Sequence, residues 1–190
     1  MPLEIFFCYA HEDEALLNKL KTHLRPLQRM GLIDVWYDRD ISGGTKWAEE
    51  IDKHLNEADI ILLLVSPDFM DSDHCYGIEM QRALERDQRG EVCVIPIILR
   101  PTLWQEAPFG KLQVLPKDGT PVTDAKWNSI DHAFHNVTEG IKRVVEGIIQ
   151  RRNRAFPTYS EPLKLESPPS LTPKPKVSTT VKMILIATVV

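Results

Sequence analysis

Four short apolar runs constrain this chain more than anything else in its sequence: LEIFFCY (3–9), LIDVWY (32–37), ADIILLLVS (58–66) and VCVIPIIL (92–99). A strand wetted on one face alternates apolar and polar residues. Runs that stay apolar through both phases belong to strands covered on both faces, as in parallel sheets. The segments between them have helical period. From about 12 to 30, Ala15, Leu16, Leu17, Leu20, Leu24, Leu27 and Met30 recur at three and four, which is one apolar stripe, with Pro26 placed to kink or end that helix early. Trp47, Ile51 and Leu55 do the same over 46–57. Ser66-Pro67 reads as an N-cap with proline at the first helical position. The helix it opens carries Phe69 and, past an Asp71-Ser72-Asp73 interruption, runs from Cys75 to about Arg89. A final helix spans about 130–152. Pro96 within the fourth run marks a bulge or an edge position. With LQVL (112–115) as a short fifth strand, strand and helix alternate five times. The expected class is α/β, a central parallel five-stranded sheet with helices on both faces.

The charge is unevenly divided. Residues 151–190 hold seven basic and two acidic residues, which leaves 16 basic and 25 acidic in 1–150. A body with net charge -9 argues against nucleic acid as a partner, since such a binder concentrates basic residues on one face. The expected domain is 1–153. After it, Pro157, Pro162, Pro168, Pro169, Pro173 and Pro175 punctuate a basic linker over 154–180, a composition that does not build a core. The apolar MILIATVV (183–190) closes a terminal segment, 181–190. Eight residues do not span a bilayer, which takes about 20. Two readings stand: a weakly docked terminus, or the start of a transmembrane helix that continues further, with Lys174, Lys176 and Lys182 as its cytoplasmic flank. No basic region followed by a long apolar stretch opens the chain, so the body is expected in the cytoplasm, with a tether to the inner face of the membrane under the second reading. Cys8, Cys75 and Cys93 are odd in number and have no Cys-x-x-Cys spacing, so no disulfide framework is expected.

In an open parallel sheet, ligands bind beyond the carboxyl ends of the strands where strand order reverses. Here that edge comprises Tyr9 to Asp13, Asp38 to Thr45, and Ser66 onward. Two nucleotide templates fail: Gly43-Gly44-Thr45-Lys46 is not a phosphate loop, and no G-x-G-x-x-G follows the first strand. A phosphoacceptor site would want an Asp ending the third strand, where Val65-Ser66 stands. His132 and His135 lie at i, i+3 without further ligands, so no metal site is assigned. Cys75 reads as a packing residue. Glu79 is ambiguous. It shares a helical face with Cys75 and Ala83, or it is a solvated glutamate pairing with Arg82 at i+3. An indole such as Trp47, at the base of a helix, ordinarily packs between helix and sheet.

Three motifs in order carry a family resemblance: IFFCYAHED (5–13), YDRDISGGTKW (37–47) and SPDFMDSDHCYGIEM (66–80), joined by RPTLWQEAPFGKLQVLPKDGTPV (100–122). Together they resemble a Toll/interleukin-1 receptor (TIR) domain of the bacterial type, whose fold is flavodoxin-like. The resemblance implies cleavage of the nicotinamide–ribose bond of NAD, by hydrolysis or cyclisation, with NAD as substrate and no cofactor. It makes Glu79 the catalytic carboxylate. It implies a substrate lining of Tyr9, Ala10, His11, Asp38, Arg39, Gly43, Gly44, Trp47 and Tyr76. Other TIR domains are the implied partners, through self-association that switches the activity on and rearranges the glycine loop. The alternative it leaves is a non-enzymatic TIR–TIR adaptor. One departure stands out. Cys75 occupies the place, four residues before the glutamate, where many members have Trp, and the Ser72-to-Glu79 spacing is one residue longer. Either Tyr76 takes the aromatic's role or the turn is rebuilt.

Overall fold

Nearly every apolar run became a strand. In this computed structural model, which describes residues 1–36 and 47–155 (without the side chains of 47–49 and 155), β1 is Leu3–Tyr9, β2 Ile33–Trp36, β3 Ile60–Val65 and β4 Cys93–Ile98. All pair in parallel, in the order β2-β1-β3-β4. The helices are α1 (Glu14–Arg29), α2 (Trp47–Glu57), α3 (Pro67–Asp71), α4 (Met80–Gln88) and α5 (Ile130–Ala155), with a π-helical segment, Asp73–Glu79, between α3 and α4.

Side-chain alternation sorts the apolar residues into two cores. Leu3, Ile5 and Phe7 of β1, with Ile60, Leu62 and Leu64 of β3, pack under Leu17, Leu20 and Leu24 of α1 and Phe134, Val137 and Ile141 of α5. Phe6, Cys8, Ile61, Leu63 and Val65 face the other way, onto Ile51 and Leu55 of α2, Phe69 of α3 and Met80 and Ala83 of α4. β3 is buried along its whole length, which is why its sequence shows no alternation. Each fully buried Leu or Ile contributes about 2 kcal/mol.

Two expectations are corrected. The sheet has four strands among the described residues, not five. LQVL touches β4 only through an isolated parallel bridge between Leu115 and Ile97, where Leu115 donates to the Pro96 carbonyl at 2.9 Å and accepts from Ile98 at 2.8 Å. The next bond up the ladder would need an N–H on Pro96, and proline has none. Down the chain, Pro116 also lacks a donor, Lys117 gives its N–H to the Asn136 side chain at 3.1 Å, and Val122 takes the Ile98 carbonyl at 2.8 Å. The ladder is therefore stopped at one rung on both sides. Pro26, in turn, does not end α1, which continues to Arg29. Pro26 and Thr22 are both exposed, so water can satisfy the carbonyl that the proline leaves without a donor.

No helix among the described residues is long and apolar enough to cross a membrane. The expected linker lies outside the described residues beyond Ala155, as does the apolar segment 181–190.

Candidate functional site

Strand order turns between β1 and β3: α1 leads from β1 to one side of the sheet, and β3 lies on the other. A cavity of about 540 Å³ opens at their carboxyl ends, where topology places ligand sites and within the range that holds small molecules. β1 and the turn after it supply Phe6, Phe7, Tyr9, Ala10, His11 and Glu12. Ile51 comes from α2, and Asp68 and Asp71 from α3. Ser72, His74, Cys75 and Glu79 complete the wall.

A fixed ionic frame stands behind this wall. Asp13 is buried and accepts from Ser66 Oγ and, at 2.8 Å, from Arg100 Nε. Arg100 also donates to Asp68. The hydrogen bond to Asp68, ahead of the contribution from Asp13, strengthens Arg100's hold on its proton. Ser66 meanwhile caps α3, its Oγ accepting from Phe69 N at 3.0 Å, as its place before Pro67 predicts. The chain just past β1, β3 and β4 is thereby tied together around the cavity.

The π-helical segment determines where Glu79 sits. Ser72 caps it, its Oγ accepting from Cys75 N at 3.2 Å, and Met80 N–H reaches back five residues to the Cys75 carbonyl. A bond of that span holds one residue more than an α-turn, and such turns recur at functional sites. The stretch from Ser72 to Glu79 is accommodated in this π-turn. Tyr76 does not take the aromatic's place in the wall: it is half-buried and stands edge-on to Phe69, ring centroids 6.5 Å apart. Cys75 faces the cavity instead.

Glu79 is only 6% exposed, and the solvated pairing with Arg82 is not what forms, since Arg82 pairs with Asp52. Instead the Glu79 carboxylate lies 3.2 Å from His74 Nε2 and is grouped with the thiols of Cys8 and Cys75, all three donor atoms lying within 4.8 Å of one another. Cys75 Sγ donates to the Tyr9 carbonyl at 3.2 Å, and Cys8 Sγ to the Cys75 carbonyl at 3.6 Å. Burial above all, then hydrogen bonding with Cys75 and the charge of Glu79, push the Cys8 thiol well above the ordinary range.

Of the expected site residues, Tyr9, Ala10, His11 and Glu79 line one cavity, whereas Tyr76 is not in its wall and packs against Phe69. Asp38, Arg39, Gly43 and Gly44 lie outside the described residues, as does the Trp47 side chain. Sequence reasoning passed over His74 as the neighbour of Glu79, Cys8 beneath it, and Arg100. Arg100 lies two residues past the end of β4 and so sits on the edge that topology singles out, which was a usable signal. Cys8 carried none, since a thiol in an apolar run reads as packing.

The model for the TIR domain matches residues 5–134. The chain belongs to the TIR domain family. A curated relative, "Uncharacterized protein y4lF" of Sinorhizobium fredii (strain NBRC 101917 / NGR234), is 46% identical over 174 residues, or 90% of this chain and 53% of the relative. The chain thus spans about half the length of the curated relative it matches. Among solved structures, the TIR domain of the Toll-related receptor TRR-2 from Hydra magnipapillata aligns at 28% identity over 52% of this chain and 71% of that one, with a TM-score of 0.41. In this TIR domain the wall residues from β1 through Glu79 all fall within the matched span.

Proposed function

We propose that this TIR domain cleaves the nicotinamide–ribose bond of NAD when copies assemble, with Glu79 as the catalytic carboxylate. One observation carries the reading: the glutamate that the motif singles out is buried in the wall of the cavity at the strand-order switch, not paired on a solvated helix face. Cleavage of a glycosidic bond passes through an oxocarbenium-like state, and a fixed negative charge beside the ribose stabilises it as it forms. Nicotinamide departs as a neutral base, so no acid is needed on the leaving side. Tyr9 offers an aromatic face for a planar ring, and Asp13 with Arg100 holds the turn that carries Tyr9 to Glu12. The Asp38–Gly44 loop and Trp47 complete the substrate lining in this reading. Assembly with other TIR domains is its switch.

The test is nicotinamide release from NAD by the full chain, concentrated or tethered at high density to a surface, beside Glu79→Gln. The parent should release nicotinamide, and the folded variant should fall at least about 100-fold, the scale on which lost transition-state stabilisation registers. Silence from a parent shown to self-associate would overturn the enzymatic reading and leave a TIR–TIR adaptor.

A further inference from the structure

The carboxylate of Glu79 is one member of a buried trio that the proposed reaction does not explain. Cys8, fully buried on β1, and Cys75, at the start of the π-helical segment, bring their thiols to it, with all three donor atoms inside 4.8 Å. His74 adds a nitrogen 3.2 Å from Glu79 Oε1.

Donor spacing discriminates among uses of such a group. Tetrahedral zinc, with Zn–N and Zn–O near 2.0–2.1 Å and Zn–S near 2.3 Å, places an N and O donor roughly 3.3 Å apart and two sulfurs roughly 3.8 Å apart. The His74–Glu79 separation is already of that size, and the trio needs to contract by no more than about 1.3 Å to reach tetrahedral spacing. Two sulfurs with one imidazole and one carboxylate form a soft-to-borderline set that selects Zn²⁺ over Mg²⁺ or Ca²⁺. An ion can enter from the cavity, since His74, Cys75 and Glu79 all line it. His74 stands outside that 4.8 Å trio, and its 42% exposed side chain has to swing to bring the nitrogen onto the ion as fourth ligand.

We propose that Cys8, Cys75, Glu79 and His74 form a site for a thiophilic divalent cation of the Zn²⁺ class, and that filling it switches the cavity off. Binding replaces the two thiol protons by two metal–thiolate bonds and releases both protons to solvent, while Glu79 and neutral His74 each give a lone pair. The carboxylate then holds the metal and is withdrawn from developing positive charge in the cavity. Occupancy stands on the four side chains alone; the switching rests on the proposed role of Glu79.

The test titrates the reduced, metal-free full chain with Co²⁺, read by thiolate-to-cobalt charge-transfer absorption and the visible bands of tetrahedral Co²⁺, followed by displacement with Zn²⁺. One equivalent is expected to bind. Cys8→Ala and Cys75→Ala should each weaken it by more than about 100-fold, the upper end for loss of even a supporting group around a metal, while Cys93→Ser binds as the parent does. In case a cysteine variant fails to fold, Zn²⁺ should also slow alkylation of Cys75 in the unaltered chain at least about tenfold, the lower end of that scale, as mapped by mass spectrometry. Absence of the charge-transfer band, a band that survives both cysteine changes, or unprotected Cys75 overturns the site. Bound Zn²⁺ that leaves nicotinamide release unchanged overturns the switch alone. A chain that binds Co²⁺ but never cleaves NAD removes the switch with the enzymatic reading and leaves the site standing.

Discussion

Replacing Arg100 by methionine removes a guanidinium while keeping most of the side chain's volume. Two carboxylates then lose their partner, and they are not equivalent. Asp68 is 39% exposed as a side chain and recovers hydration. Asp13 is 1% exposed and does not. Breaking a buried ion pair from one side costs about 3–5 kcal/mol, because the remaining charge is stranded. Water that reaches the one-third-exposed Arg100 position, and the Ser66 hydroxyl that still donates to Asp13, bring the expected loss to the lower end, about 3 kcal/mol. For a body of this size that lowers Tm by roughly 6–12 °C. Asp13→Asn should cost less, about 1–2 kcal/mol, since an amide strands no charge and Arg100 keeps Asp68. The decisive comparison is the double variant. With a neutral amide already at position 13 there is no charge left to strand, so Arg100→Met adds little on top, and the coupling should be at least about 1.5 kcal/mol. Urea unfolding of all four proteins, followed by far-ultraviolet circular dichroism at neutral pH, measures the cycle. A loss under about 1 kcal/mol for Arg100→Met would place the pair with ordinary surface bridges. A double variant no more stable than additivity predicts would refute the stranded-charge argument.

Ser66→Ala removes both the cap on Phe69 N and the hydroxyl on Asp13, and should cost about 2–3 kcal/mol by the same unfolding assay. Gly77→Ala should be neutral or stabilising by about 0.5 kcal/mol, since a Cβ there meets nothing within 4 Å and the backbone is not left-handed; a loss above about 1 kcal/mol, beyond ordinary surface effects, would mean the π-helical segment does not tolerate added helical bias. The raised Cys8 thiol has a signed pH consequence. Unfolded chains lose that proton from about pH 8.5 while the folded state keeps it, so stability is full below that pH and falls as pH rises, by about 1.4 kcal/mol per unit. Unfolding at stepped alkaline pH should show a shallower decline in Cys8→Ala, and parallel declines would contradict the assignment.

Much of the fold was legible because its signals are local. An apolar run without alternation needs cover on both faces wherever it lies, and β1, β3 and β4 obey this. The cap at Ser66 and the stripe of α1 depend only on residues within a few positions of one another. The fifth strand was misread for a non-local reason: a ladder needs a partner with free donors, and Pro96 of β4 withholds one at the place where LQVL would have extended it. The π-helical turn was half legible. The longer Ser72-to-Glu79 spacing could be counted against the family pattern, but it left open whether Tyr76 takes the aromatic's role or the turn is rebuilt.

By itself, then, the sequence determined the layer architecture, the edge on which a ligand site must lie, and the family, all of which follow from period, order and motif. The tertiary structure alone decided what surrounds Glu79. Cys8 and Cys75 are 67 residues apart, and His74 faces Glu79 only because a π-turn rotates the two together. Arg100 reaches Asp13 across 87 residues. Periodicity carries information about which face a side chain takes on its own element. It carries none about which side chain from another element arrives opposite, because that depends on strand order, register and the packing of whole layers.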